Sequence, residues 1–561
     1  MKSLFTALLI LINFSPRAQV QFTSSNLPIV VINTHGQEIP NNGKITADMG
    51  VIWNGDGVRN NLTDPYNHYN GKIGIELRGS SSQQFPKKGY AVETRDSAGE
   101  NLNVQLLGFP SENDWVFNAT YNDKTLMRDV LIYDAARKTG RYASRSKYFE
   151  LVLNGDYRGV YILFEKIKQD KNRVDIKGIK PDDVSGDAVT GGYVIKVDKF
   201  DGEDNGGWNS NFYPFPGSTF PTVYQFHEPK YSEIVAQQIN YIKSFITNFE
   251  TVMYNNLYAD TTIGFPKIAD EASFADFFLI NEFAKNVDGF RLSSYMYKDR
   301  DSRNPKLVMG PVWDFNGGLG NANYYDSWIN TGWELDFLTT NQSFMTSDQF
   351  QVPFWWRKLK DWPRFQSLIK ERWTVLKTTA FDRTRIFNVI DSVANHLQES
   401  RARNFQRWPV LGVWIWPNYY VGQTYQDEIT YLKNWITGRL LWMNSAINLF
   451  TRVEDENPVI PEKLEVVNYP NPFSANSLTA GSSTLVYFTV PTEGNVTVRM
   501  YDSRGSLVSE LMNRAVTTGH YEVRVEPVKL GISSGFYPVI VTFTSGAGTT
   551  TTGSAKLVYL K

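Results

Sequence analysis

From Asn26 to Thr94, short apolar runs and alternations such as Leu27-Pro28-Ile29-Val30-Val31-Ile32 and Lys72-Ile73-Gly74-Ile75-Glu76-Leu77 are broken by Asn and Gly. That pattern predicts strands and hairpins. Lys124 to Thr139 changes period: Leu126, Val130, Leu131, Tyr133 and Ala135-Ala136 recur at helical spacing, with Gly140 as a stop. Tyr148 to Leu153, Asn154-Gly155 and Tyr157 to Phe164 form the strongest hairpin signal, because Asn-Gly supplies the positive φ angles of a tight turn. From Tyr231 onward helices are expected to dominate, over Ser232 to Tyr258, Glu271 to Lys285, Phe350 to Leu376, Arg383 to Arg403 and Tyr425 to Phe450. The fold class is therefore α+β, a β-rich lobe followed by a mainly helical lobe. Residues 451–461 turn to Glu, Asp, Asn and Pro, a linker composition. Beyond them, Thr484 to Val490, Asn495 to Tyr501, Tyr521 to Val525 and Gly535 to Thr542 predict a small all-β sandwich over residues 462–561.

The 561 residues suggest about three or four domains. At 42% hydrophobic and 20% charged the chain is that of a folded protein. A net charge of −1 steers it to neither nucleic acid nor an anionic membrane, so no nucleic-acid partner is expected. The absence of cysteine excludes a disulfide framework, a thiolate zinc site and a cysteine nucleophile. The five histidines are too scattered for a local zinc motif, which leaves a hard cation on oxygen ligands as the expected metal. Met1-Lys2-Ser3, the apolar run Leu4 to Phe14 and Ser15-Pro16-Arg17-Ala18 come in the order of a secretory signal peptide, residues 1–18. No later segment reads as a transmembrane helix.

Three segments carry candidate chemistry. Gly310-Pro311-Val312-Trp313-Asp314-Phe315-Asn316-Gly317-Gly318 reads as a strand-like run ending on an acid beside a flexible turn, a common way to hold a carboxylate on Mg²⁺. Asn286-Val287-Asp288-Gly289-Phe290-Arg291 offers a second carboxylate, to receive a hydroxyl proton. Arg78-Gly79-Ser80-Ser81-Ser82 followed by Pro86-Lys87-Lys88 suits an anion, through the amides of a Gly/Ser turn and nearby cations. Each also has an ordinary reading as turn residues or solvated charges. Glu165 reads as a surface partner of Lys166 or Lys168 in preference to a pocket-lining acid, and Trp408, Trp414 and Trp416 read as core, with sugar stacking as the alternative for Trp414 and Trp416 if exposed.

Taken in order, Leu77-Arg78-Gly79-Ser80-Ser81-Ser82, Pro86-Lys87-Lys88, Thr125 to Asp129, Leu153-Asn154-Gly155 with Tyr157-Arg158-Gly159-Val160-Tyr161, Asn286-Val287-Asp288 and Trp313-Asp314-Phe315 resemble the spore-coat protein H (CotH) kinase family, over about Leu27 to Phe450. The resemblance implies an atypical protein-kinase-like two-lobed region, 27–450, that transfers the γ-phosphoryl of ATP to Ser or Thr hydroxyls of a protein substrate with Mg²⁺ or Mn²⁺. It implies Lys88, or else Lys87, on the nucleotide phosphates beside Arg78, Ser80 and Ser81. It implies Asp288 as the catalytic carboxylate and Asp314 as the metal ligand, with Asn316 contributing. Two departures stand out: Ser293 and Ser294 occupy the region where a second metal-binding Asn is common, and Asn316 stands where the family often has a second acid.

The C-terminal part has a resemblance of its own. Asn468-Tyr469-Pro470-Asn471-Pro472-Phe473, Gly494-Asn495-Val496, Tyr501-Asp502 with Gly505, Gly519-His520-Tyr521 and Ser534-Gly535-Phe536-Tyr537 look like the type A sorting domain of type IX secretion. This implies a secreted or cell-surface protein that meets the type IX secretion machinery. The rival readings are a noncatalytic surface module binding protein or glycan, and a polysaccharide hydrolase with paired carboxylates.

Overall fold

The computed structural model describes residues 20–200, 206–260, 262–450, 463–469, 471–474 and 483–560. The expected signal peptide, 1–18, and linker, 451–461, lie outside the described residues.

The N-terminal alternations do form strands, and the sheet closes on itself as a barrel. Its order is Ile29–Asn33, Ile45–Ile52, Tyr69–Arg78, Gly89–Arg95, Asp114–Asn118, Asp156–Glu165 and Ser146–Leu153. The last strand returns to the first in parallel, with Ile29 opposite Glu150. Alternate residues, among them Ile73, Ile75, Trp115, Phe149 and Leu163, fill one hydrophobic cluster, as closure requires of a small barrel. At the expected hairpin Asn154 and Gly155 both take positive φ, 52° and 78°, the twist that matches two antiparallel strands. Arg78 ends its strand opposite Gly89, so the Ser-rich turn joins two neighbouring barrel strands.

The part expected to be helical from Tyr231 onward also supplies two strands to a sheet whose other three strands precede it. This sheet is five-stranded, in the order Gly207–Asn209, Val223–Glu228, Tyr193–Val197, Ser294–Lys298 and Leu307–Met309. Tyr193, Ile195 and Val197 on one face join the large core of the helices. Val194 and Tyr295 on the other pack with Ile167, Val174 and Ile176, the chain leaving the barrel, and Trp313 lies against that cluster.

The helices include Arg128–Lys138, Ala236–Tyr254, Glu271–Ala284 and Tyr425–Asn448. Two expected long helices are each broken. Phe354–Asp361 and Pro363–Leu376 part at Trp362, whose ψ of 118° is the extended backbone that a following proline imposes. Arg383–His396 and Gln398–Arg407 part at Leu397. The C-terminal part is a sandwich of a three-stranded and a five-stranded sheet around its own apolar cluster. Sequence periodicity did not mark four of its strands: the short Val466–Tyr469 and Phe473–Ser474, and Leu507–Val516 and Thr550–Leu560, whose residues are mostly solvent-facing or half-buried and give little apolar alternation.

Beneath the sheet, the Glu250 carboxylate accepts hydrogen bonds from Ser210 Oγ (2.8 Å) and Tyr224 Oη (2.8 Å). Burial raises its pKa from 4.5 to about 7 despite those donors. A carboxyl with a raised folded-state pKa stabilises the fold below its unfolded pKa, and that contribution is lost as pH rises through the folded value. At ~1.4 kcal/mol per pH unit, roughly 3 kcal/mol is at stake. Glu250→Gln, neutral at every pH, is therefore expected to lie close to wild type in stability at pH 4.5, where Glu250 is also neutral, and to exceed it at pH 8, as read by urea titration at the two pH values.

Candidate functional site

The site forms where three strands of the five-stranded sheet meet one edge. Val197 pairs with Ser294, Met296 pairs with Met309, and the Gly310 N–H donates to Tyr295 O at 2.8 Å. Asp198, just past its strand, therefore lies beside the turn 286–293 that enters the next strand and the segment 310–316 that leaves the third. The run expected to be strand-like from Gly310 to Asp314 is irregular backbone in the fold, and the strand is Leu307–Met309 just before it.

Asp314 is held at several points. Its φ is +64°, a left-handed conformation that costs a non-glycine residue of order 1 kcal/mol or more and persists only when the surroundings fix it. Its N–H donates to Tyr133 Oη (3.1 Å), and the next N–H, of Phe315, donates to Asp129 Oδ1 (2.7 Å). Asn286 Nδ2 donates to Asp314 O (3.2 Å) and Asn316 Nδ2 to Asp314 Oδ1 (3.0 Å). Its other carboxylate oxygen takes no hydrogen bond among the described residues. Burial, then the charges of Asp288 and Asp198, pushes the Asp314 carboxyl up to about 6, against Lys199 and Arg78. Asp129, buried and facing Asp314, is pushed up to about 7.

Asp288 sits on the turn after helix Glu271–Ala284, which ends in a left-handed Lys285 (φ 46°). About a third of its side chain, 31%, is open to solvent, and Arg291 Nη2 donates to its Oδ1 at 3.0 Å. Burial raises its pKa while Arg291 and Lys199 oppose the rise. Arg291 also reaches Asp348 Oδ2 at 3.3 Å, which fixes the guanidinium between two acids.

Cations face these carboxylates from both sides of the sheet edge. The Arg78 guanidinium stands 5.1 Å from the centre of the Trp313 ring and lies within electrostatic reach of Asp314 and Lys196. Lys196 Nζ donates to Asp198 Oδ2 at 3.0 Å, and Lys196 is the strand partner of Tyr295. Among the described residues no three His, Cys, Asp or Glu side chains converge as a ready metal cage. The donors present are oxygens, from Asp314, Asp288 and the Asn316 amide. That set fits a hard cation that completes its shell with phosphate and water oxygens, as Mg²⁺ does.

A family model described as CotH kinase protein matches residues 75–443. The chain belongs to the CotH kinase protein family. The match takes in every candidate residue of this CotH site, from Arg78 through Asp314 and Asn316. Among solved structures, parts of the chain are similar to a dimeric latent PorU from Porphyromonas gingivalis, at 22% identity over 18% of this chain and 10% of that one, TM-score 0.14. Others are CopC from Methylosinus trichosporium OB3b, at 20% identity over 13% of this chain and 74% of that one, TM-score 0.11, and the Ig1 domain of mouse SynCAM 2, at 12% identity over 18% and 97%, TM-score 0.12. The chain thus spans a tenth of the length of that PorU. A search of curated proteins gave no match.

Of the residues singled out from sequence, the fold of this CotH protein brings Arg78, Asp288, Asp314 and Asn316 together. Ser80 and Ser81 are exposed in the turn after Arg78. Lys88 Nζ donates to Gln83 O (2.5 Å), inside its own turn. Lys87 is buried and points elsewhere: its Nζ donates to Val160 O (2.5 Å) and Asn404 Oδ1 (2.9 Å), and burial depresses its pKa strongly. The sequence reading passed over Lys196, Asp198 and Lys199, whose only local signal is a polar cluster closing an apolar strand. Glu165, expected at the surface, is buried and held by Arg145 (2.8 Å) and Arg173 (3.2 Å), while Lys168 pairs with Glu112 and Asp114. Trp408 is buried as expected, but Trp414 and Trp416 are exposed, at 56% and 37%. Trp416 stacks on Tyr324 at 6.1 Å.

Lys87→Met is expected to cost roughly 1–3 kcal/mol, because Val160 O and Asn404 Oδ1 lose a buried donor, and to leave affinity for an ATP analogue unchanged. Urea titration and calorimetric nucleotide binding on the same variant check both halves.

Proposed function

We propose that this CotH protein is an atypical, two-lobed protein kinase that phosphorylates serine or threonine hydroxyls from ATP. The observation that carries the reading is the pairing of Asp288 and Asp314, delivered by two turns to one sheet edge and close enough for the first to raise the pKa of the second, with Arg78, Lys196 and Lys199 gathered around them. The barrel would form one wall of the nucleotide cleft and the five-stranded sheet with its helices the other.

Mg-ATP, when bound, supplies the γ-phosphoryl group, whose bond to the β-phosphate oxygen breaks as a bond to the acceptor hydroxyl oxygen forms, with ADP leaving. Asp314 and Asn316 would hold the cation through oxygen. Arg78, with Lys196 steadied by Asp198, would face the phosphates, where charge stabilisation provides most of the catalysis in this class of reaction. Asp288 would orient the acceptor hydroxyl and take its proton at the oxygen that Arg291 leaves open. Ser80 and Ser81 would offer the turn amides expected of them, whereas the placement of Lys87 and Lys88 favours Arg78 and Lys196 as the phosphate cations.

Incubating the full chain with ATP and Mg²⁺ or Mn²⁺, then mapping phosphoserine and phosphothreonine by mass spectrometry, tests the reading. New phosphosites with matching ADP release support it, and neither product with either metal refutes it. The exposed Trp414 and the Trp416–Tyr324 stack favour a second reading, a noncatalytic module holding protein or glycan. That reading predicts glycan or protein capture that Trp416→Ala abolishes while nucleotide has no effect. The leader, the sandwich and its Pro- and Gly-marked turns support export to the cell surface through type IX secretion, to be tested by following the chain with and without residues 462–561.

A further inference from the structure

One helix faces the Asp314 turn, and its contacts go beyond packing. Asp129 and Tyr133 are four residues apart on helix Arg128–Lys138, so they share a face. That face receives two successive backbone donors, Asp314 N–H on Tyr133 Oη (3.1 Å) and Phe315 N–H on Asp129 Oδ1 (2.7 Å). The Tyr133 ring also stacks on Trp313 at 5.7 Å, so three consecutive residues, 313 to 315, are read by the same face.

The helix itself is fixed at both ends. Asp123 accepts from Met127 N (3.0 Å) and Arg128 N (2.8 Å) and pairs with the buried Arg128 guanidinium at 2.5 Å, while towards the other end Asp134 pairs with Arg385 of helix Arg383–His396, which shares its core. Asn118 Nδ2, at the end of a barrel strand, donates to Asp129 Oδ2 (3.2 Å), which orients the carboxylate towards the turn.

We propose that Tyr133 and Asp129 are positioning residues, a clasp by which this helix sets the left-handed backbone of Asp314 and hence the direction of its carboxylate. The clasp explains how Asp314 keeps a positive φ without glycine. Both atoms that bond the turn are oxygens at the ends of side chains, so the aim of Asp314 depends on where the helix sits. A shift of that helix would release the two N–H groups and let the turn relax to ordinary backbone.

The functional consequence rests on the phosphotransfer reading, since it takes Asp314 to be the metal carboxylate. The clasp itself is a statement about backbone. Tyr133→Phe removes one oxygen and keeps the ring on Trp313. Asp129→Leu removes the other acceptor, and Asp129→Asn retains one.

The test combines amide hydrogen exchange at residues 313–316 with binding of Mn²⁺ and a non-hydrolysable ATP analogue, both on full-length variants whose unfolding midpoints have been measured. Tyr133→Phe and Asp129→Leu are expected to exchange at least tenfold faster at 314 and 315 and to bind Mn²⁺·analogue roughly tenfold more weakly, with Asp129→Asn near wild type in both. Wild-type exchange in Tyr133→Phe and Asp129→Leu overturns the clasp. Faster exchange with unchanged nucleotide affinity overturns its role in positioning. Failure of the wild type to bind the analogue overturns the phosphotransfer reading instead, and exchange still decides the clasp.

Discussion

Asp314→Asn is expected to lower the rate of phosphoryl transfer by about 10³-fold while leaving the fold intact. The substitution keeps size, so the contacts of Tyr133, Asn286 and Asp129 with the backbone of the turn survive. It removes the negative charge, and a neutral amide is a poor ligand for a hard divalent cation. The folded protein should gain or hold stability near neutral pH, because burial and the charges of Asp288 and Asp198 already raise this carboxyl to about 6. A charge that the fold disfavours is kept where it serves function, not stability. Steady-state transfer rates together with urea titration at pH 7.5 measure both effects; a comparable loss of activity and of stability would indicate that the residue is structural.

Removing Arg439 is expected to produce the largest loss of stability. Arg439 and Glu282 are both fully buried, with Nη2 to Oε2 at 3.0 Å, Nε on Glu282 O at 2.7 Å and Nη1 on Gly332 O at 2.7 Å. The Glu282 carboxylate in turn accepts Glu334 N (2.8 Å) and Leu335 N (2.9 Å), the first amides of helix Glu334–Thr340. Breaking a buried pair from one side leaves an uncompensated charge, at a cost of roughly 3–5 kcal/mol. Arg439→Met should therefore destabilise by about that amount, and adding Glu282→Gln should restore most of it by removing the stranded charge while keeping the acceptor. The sign with pH is fixed: burial already raises the Glu282 pKa and Arg439 opposes the rise. Without Arg439 the carboxyl protonates more readily, and the penalty shrinks as pH falls. Denaturant titrations at pH 5 and pH 8 on the single and double variants check this. The pair lies beneath Lys285, whose Nζ donates to Asp326 O (2.8 Å) and Thr331 O (2.9 Å) just before the Asp288 turn, so the single variant should also lose activity below its unfolding transition.

Local chemistry made part of this site readable in the sequence. Asp288 and Asp314 stand out because each is an acid set in a turn beside glycine and phenylalanine, and the Asn154-Gly155 hairpin is declared by residues that tolerate positive φ. The barrel strands follow from period-two alternation, although closure does not: it depends on the parallel pairing of Ile29 with Glu150, which no local pattern encodes. The five-stranded sheet was hidden for a similar reason. Tyr193–Val197 is apolar apart from Lys196 because both faces are largely covered, and such a run resembles any buried segment. Asp198 acquires significance only through the register that sets Val197 against Ser294.

Lys87 shows the opposite failure. A lysine after proline beside a Ser-rich turn reads as an anion ligand, and the feature that assigns it otherwise, Asn404, is 317 residues away. The clasp on Asp314 also joins distant parts of the chain, with Asp129 and Phe315 186 residues apart. Tyr133 reads in the sequence only as part of a helical stripe, and nothing in its neighbourhood distinguishes a core tyrosine from one whose hydroxyl holds the backbone of a turn.

The most direct measurement of the central claim is transfer of label from γ-labelled ATP to protein by the full chain with Mg²⁺ or Mn²⁺, beside Asp288→Asn shown to be folded. The account predicts labelled serine or threonine with wild type, and a loss of at least 10²-fold with Asp288→Asn while nucleotide affinity is retained. Label transfer that survives in Asp288→Asn would contradict the role given to this carboxylate, and no transfer or nucleotide binding by wild type would contradict the kinase reading as a whole.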